Sequence, residues 1–120
     1  MFGFKRQTAP ALPVSDAVAR VTEGEILLID VRDHSEVAQT GKAQGALHIP
    51  LMRLPTMADP RHPDFDKRLA GDKPIALYCA SGARSGMAAN ILSKLGYSQT
   101  YNLGGLHNWA AAGGQITYSS

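Results

Sequence analysis

The chain contains one cysteine, Cys79, followed by Ala80-Ser81-Gly82-Ala83-Arg84-Ser85. A thiol, small residues, a glycine and then an arginine make the composition of an anion-binding loop. Gly82 accepts dihedrals closed to other residues, so consecutive N–H groups can converge on one atom, and Ala80, Ser81 and Ala83 leave the space before the sulfur unfilled. A helix starting behind the loop adds about half a positive charge from its unpaired amides, and Arg84 adds a full one. Thiolates in such surroundings ionise below the free-cysteine value of about 8.5 and are nucleophilic near neutral pH. The bland reading of a lone cysteine at a strand end is a small inert core residue. Loop, arginine and helix together outweigh it. A single cysteine excludes an internal disulfide and a Cys-rich metal site, and His34, His48, His62 and His107 lack ligand spacing, so no metal is expected.

The elements that position this loop follow from the hydrophobic pattern. Ile26-Leu27-Leu28-Ile29 and Ile75-Ala76-Leu77-Tyr78 are short unbroken apolar runs, the signature of strands buried on both faces of a parallel sheet. Ala46 to Ile49 and Thr100 to Leu103 read as weaker strands. The spacing predicts a helix over Arg84 to Leu95, with Met87, Ala88, Ile91, Leu92 and Leu95 on one stripe and Gly96 as its stop. Ser15 is expected to cap a helix carrying Ala17, Val18 and Val21 and ending at Gly24. Asp33 with Glu36 is expected to form a capping pair for a second helix. Pro50 to Asp72 holds four of the seven prolines and reads as an irregular excursion over a sheet edge, with one short helix near Asp64 to Ala70. Gly104-Gly105 turns the chain into Leu106 to Ala112, with Trp109 facing the core. Alternating strands and helices imply an α/β fold, a mainly parallel central sheet flanked by helices in three layers. Ligands in such sheets bind beyond the C-terminal strand ends, where both Asp30-Val31-Arg32 and Cys79 fall.

At 120 residues the chain has the size of one domain, with a core of about residues 14 to 116 and a loose segment over 1 to 10. The net charge of +2 comes without a Lys/Arg cluster and argues against nucleic acid. No apolar run approaches the roughly 20 residues that span a bilayer, and the start lacks the pattern of a secretory signal. A cytoplasmic location is the default expectation. Beyond Asp72 there is no carboxylate, while Lys73, Arg84 and Lys94 remain, a setting suited to a small anion.

Cys79-Ala-Ser-Gly-Ala-Arg84-Ser85 resembles the Cys-x-x-Gly-x-Arg-Ser active-site loop of single-domain rhodaneses, which are sulfurtransferases. Asp30-Val31-Arg32 with Glu36 is similar to the family's Asp-Val-Arg segment. Gly45-Ala46 to His48-Ile49-Pro50 and Asn102-Leu-Gly-Gly105 with Trp109 and Gly113 match two further segments, in the family's order. One departure is visible, Lys42-Ala43 where the family usually has His-Ile after the glycine. The resemblance implies transfer of a sulfane sulfur from a small donor such as thiosulfate or 3-mercaptopyruvate through a persulfide on Cys79, with no organic cofactor. A thiol, a protein or cyanide would then accept the sulfur. A persulfide anion needs amide donors from Ala80 to Arg84 around it, and Arg84 can hold the anionic donor or stabilise charge in transfer. Asp30 and Arg32 stand one layer behind, either orienting the Cys79 loop, pairing with Arg84, or forming a buried ion pair. Ser85 either caps the helix or hydrogen-bonds the sulfur. His48 reads as a strand-end residue and His107 as exposed.

Two alternatives use the same residues. Phosphatases and arsenate reductases also place a cysteine and an arginine around a helix N-terminus, but with five residues between them, whereas four separate Cys79 from Arg84. The other alternative is a partner-specific persulfide carrier or interaction module.

Overall fold

The two unbroken apolar runs become the middle of a sheet, β1 (Leu27–Asp30) and β4 (Ile75–Cys79), parallel and side by side with Leu27 opposite Ile75 and Asp30 opposite Tyr78. In this computed structural model, residues 12–118 are described. β3 (Leu47–His48) joins the outer side of β1 and β5 (Thr100–Gly105) the outer side of β4, both parallel, for the order β3-β1-β4-β5. The expected loose segment at residues 1–10 lies outside the described residues.

Strand alternation divides the interior into two cores. Ile29, Ile75, Leu77 and Cys79 point to one face, where Ala88 and Leu92 of α4 (Ala83–Lys94) and Leu54 of α3 (Leu54–Met57) cover them. Leu28, Ala76 and Tyr78 point to the other, covered by Ala17 of α1 (Val14–Thr22) and Trp109 of α5 (Leu106–Ala111). The result is the expected three-layer α/β arrangement. None of the helices in the described residues is long and apolar enough to cross a membrane.

Several local expectations shift. α4 lies within a residue of its expected bounds, but its buried row is Ser85, Ala88 and Leu92, at i, i+3 and i+7. Met87, placed on the apolar stripe by its spacing, is 59% exposed because it sits more than a quarter of a turn from every residue of that row. α1 starts two residues earlier than a Ser15 cap would place it, with Pro13 at the N-cap, so Ser15 lies exposed inside the first turn. Pro50 to Asp72 holds a 3₁₀ turn at Leu51–Arg53, then α3 with Pro55 in its first turn, then a 3₁₀ turn at Lys67–Leu69 where the longer Asp64 to Ala70 helix was expected. Asp66 caps that last turn by accepting the Arg68 N–H. Leu54, Ala58 and Leu69 of this segment are buried in the same core as Ala88 and Leu92 of α4.

The departing Lys42-Ala43 pair is β2 (Lys42–Ala43), which pairs antiparallel with β6 (Ile116–Thr117) in a separate two-stranded sheet. Ala43 is fully buried, and its N–H donates to the Tyr78 hydroxyl at 2.8 Å.

Candidate active site

Cys79 ends β4 with its side chain on the α4 face, so the chain must turn through Ala80, Ser81 and Gly82 before α4 can start beneath the sulfur. Gly82 makes that turn possible. It stands at the α4 N-cap with φ +107°, and a Cβ there would lie 3.3 Å from the Gly104 Cα. The Gly82 N–H donates to Cys79 Sγ at 2.9 Å, and the Ser85 N–H and hydroxyl each approach it at 3.4 Å. Burial alone would push the thiol up. The Ser85 hydroxyl, with the amides of Ser85, Gly82 and Ser81, outweighs burial and holds it down at about 7. Cys79 itself is 1% exposed, while Ala80, Ser81 and Ala83 in front of it are exposed.

Asn102 of β5 is the residue that sequence reasoning missed as a side chain. Its Nδ2 donates to the Gly82 carbonyl at 2.9 Å, and its Oδ1 accepts from the Gly104 N–H at 2.9 Å and from the Ser85 hydroxyl at 2.7 Å. One amide thus ties β5 to both sulfur donors. The sequence signals were its place ahead of Gly104-Gly105, which reads as a turn, and its membership of the Asn102-Leu-Gly-Gly105 segment, neither of which says what its side chain binds. Ser85 lies inside α4 and does not cap it; its hydroxyl stands 3.4 Å from Cys79 Sγ and 2.7 Å from Asn102 Oδ1, within reach of both acceptors.

Arg84 is not free. Its two terminal nitrogens donate to the two carboxylate oxygens of Glu36 at 2.7 and 2.8 Å, and Glu36 also accepts the Asp33 N–H at 2.9 Å. The expected Asp33/Glu36 pairing at the start of α2 (His34–Thr40) therefore doubles as a clamp on the loop arginine. Arg84, then the Asp33 amide, hold the Glu36 carboxyl down at about 2, and Glu36 raises Arg84 in turn.

Asp30 and Arg32 pair with each other and not with Arg84. The Arg32 guanidinium contacts both Asp30 oxygens at 2.8 to 3.1 Å and reaches the Thr40 hydroxyl and the Gly41 carbonyl. Tyr78 donates its hydroxyl to Asp30 at 2.6 Å. Strand parity explains the separation: Asp30 lies opposite Tyr78, whose side chain points to the face away from Cys79. His48 Nε2 meets the Arg32 carbonyl at 2.6 Å and His107 is exposed, as their strand-end and surface readings anticipate. Two clefts, of about 350 and 500 Å³, lie elsewhere, beside Tyr97 and beside Trp109.

The cradle can stabilise a sulfur anion and whatever anion is bonded to it. Residues 14–112 match the family model of the rhodanese-like domain. A sulfurtransferase of Allochromatium vinosum is 37% identical over 90 residues, 74% of this chain and 76% of that protein. The human single-domain sulfurtransferase superposes with a TM-score of 0.68 at 26% identity, over 87% of this chain and 97% of that one. A Rhodopseudomonas palustris protein of unknown function, described as a possible tyrosine phosphatase, superposes with a TM-score of 0.81 at 30% identity, over 91% of this chain and 85% of that one. Family model, relatives and the β3-β1-β4-β5 sheet agree, and the chain belongs to the rhodanese-like family, among single-domain sulfurtransferase relatives.

Proposed function

We propose that the protein moves a sulfane sulfur from a donor such as thiosulfate to a thiol or cyanide through a persulfide on Cys79. The observation that carries this reading is the donor set on the chain's one cysteine sulfur: the Gly82 amide and the amide and hydroxyl of Ser85, around a thiol held at about 7. In the first half-reaction the Cys79 thiolate attacks the outer sulfur of thiosulfate. A new S–S bond forms, the old one breaks, and its electron pair leaves with sulfite. The persulfide anion carries its charge one S–S bond, about 2 Å, beyond Sγ, and the remaining loop amides between Ala80 and Arg84 are the donors proposed to meet it there. An external thiol or cyanide then removes the outer sulfur, since the chain has no second cysteine to do so. No organic cofactor enters either step, and a reducing compartment such as the cytoplasm would keep the thiol available.

Intact mass tests this directly. Incubation with thiosulfate, or separately with 3-mercaptopyruvate, should add one sulfur to the wild type and none to Cys79→Ala, and cyanide should remove it. Equal behaviour of the two proteins overturns the reading. The competing phosphatase description of the R. palustris neighbour predicts instead hydrolysis of p-nitrophenyl phosphate with no sulfur adduct.

A further inference from the structure

A sulfur-transfer site that takes a dianion needs a cation facing it, and here the cation that couples to Cys79 is already spent. Arg84 closes the loop that begins at Cys79, yet both of its terminal nitrogens are bound to Glu36, and Glu36 first, then the charges of Cys79 and Asp33, raise the guanidinium. Arg84 and Glu36 are each about one-third exposed, so the pair stands at the surface beside the loop, not sealed beneath it. Thiosulfate arriving at a thiolate brings three negative charges together. With Arg84 neutralised by Glu36, only uncharged donors on the loop, its amides and the Ser85 hydroxyl at the start of α4, remain to offset them.

Resting on the sulfurtransferase reading, we propose that Glu36 is a specificity-determining residue, a charge filter that steers Cys79 toward sulfane donors carrying little negative charge, such as organic hydropersulfides, and against dianionic thiosulfate. With a hydropersulfide the balance is simple: the Cys79 thiolate bonds to the outer sulfur, the donor's S–S bond breaks, the donor leaves as its thiolate, and the proton stays on the new persulfide. The electrophilic form of this donor is the neutral, protonated one, so the total negative charge in that encounter is two units smaller than with thiosulfate.

The test compares thiosulfate with the hydropersulfide of N-acetylcysteamine in wild type and Glu36→Gln, following sulfur loading of Cys79. Gln can still accept the Asp33 N–H, so the start of α2 keeps its cap. Glu36→Gln should raise the thiosulfate-to-hydropersulfide ratio of kcat/KM about tenfold, mainly through a lower KM for thiosulfate, the effect of removing one nearby charge at a partly exposed site. The wild type alone supplies a second measurement. Raising salt from about 0.02 to 0.2 M should speed its reaction with thiosulfate by screening repulsion, and should leave the hydropersulfide reaction nearly flat. A ratio unchanged within about twofold, or a thiosulfate rate that falls with salt as attraction would require, overturns the filter while leaving sulfur transfer intact. Absence of any sulfur on Cys79 from either donor in both proteins overturns the filter and the underlying reading together.

Discussion

Ser85 has one hydroxyl proton and two acceptors, Asn102 Oδ1 at 2.7 Å and Cys79 Sγ at 3.4 Å. As the sulfur becomes a thiolate it becomes the stronger acceptor, so the hydroxyl rewards ionisation at the moment the nucleophile forms. Ser85→Ala removes this donor but keeps the Ser85 and Gly82 amides. Its thiol should therefore titrate higher than the wild type's value of about 7, by about one unit. The rate of iodoacetamide alkylation against pH reads the thiolate fraction, and a superimposable profile would show the hydroxyl is idle. Stability carries the same sign. Because folding lowers the thiol from the ordinary cysteine range to about 7, the native state gains stability as pH rises from about 7 and levels off above the unfolded value. The stability difference between wild type and Cys79→Ala should grow across that window and not below it. Cysteine, glycine and arginine were legible as a sulfur site from type and spacing alone. Arg84's partner was not, because Glu36 is 48 residues away and only the packed α2 brings it there.

At the scale of elements, the cradle exists because a strand end, a left-handed glycine and a helix start meet a second strand end. β4 and β5 run in register from Ile75 opposite Thr100 until an irregularity between Leu77 and Cys79 brings Cys79 opposite Gly105. Asn102 is the last β5 residue before that shift, opposite Leu77, and from there it reaches the Gly82 carbonyl. No periodicity in the sequence signals it, whereas β1, β4 and α4 are legible because each carries enough buried positions for its period to show. β2, β6 and α3, of two to four residues each, fall below that limit. The loop depends most on Gly82. Gly82→Ala forces a side chain into a left-handed dihedral and against Gly104, and should cost about 1 to 3 kcal/mol in urea unfolding. The same change turns the Gly82 N–H off the sulfur, so the alkylation midpoint should also move up. Loss of stability with an unmoved midpoint would mean that the loop relaxes without disturbing the sulfur.

Across the whole molecule, one buried polar cluster joins the four-stranded sheet to the two-stranded one, and it lies on the face away from Cys79. Arg32 binds Asp30 of β1 and the Thr40 and Gly41 end of α2, and Tyr78 of β4 binds Asp30 and the Ala43 N–H of β2. Burial and the Asp30 carboxylate both raise the Tyr78 phenol, which keeps it protonated as a donor. Every buried side-chain nitrogen and oxygen among the described residues has a partner, so a removal within this cluster leaves a buried group short of a bond. The Asp-Val-Arg segment revealed that a charge pair belongs here. Which face it serves required the register of Asp30 against Tyr78. Two variants separate stability from chemistry. Arg32→Met leaves the Asp30 carboxylate buried without its cation and should cost about 3 to 5 kcal/mol. Tyr78→Phe leaves the Ala43 N–H unpaired and Asp30 with one donor fewer, and should cost about 1 to 3 kcal/mol. Urea unfolding with an unchanged denaturant slope measures both. Since the tyrosine hydroxyl points away from the sulfur, Tyr78→Phe should keep the wild-type pH profile of Cys79 alkylation despite its lower stability. A profile that moves in step with the stability loss would mean that the Asp30 and Arg32 cluster orients the cysteine loop through the sheet.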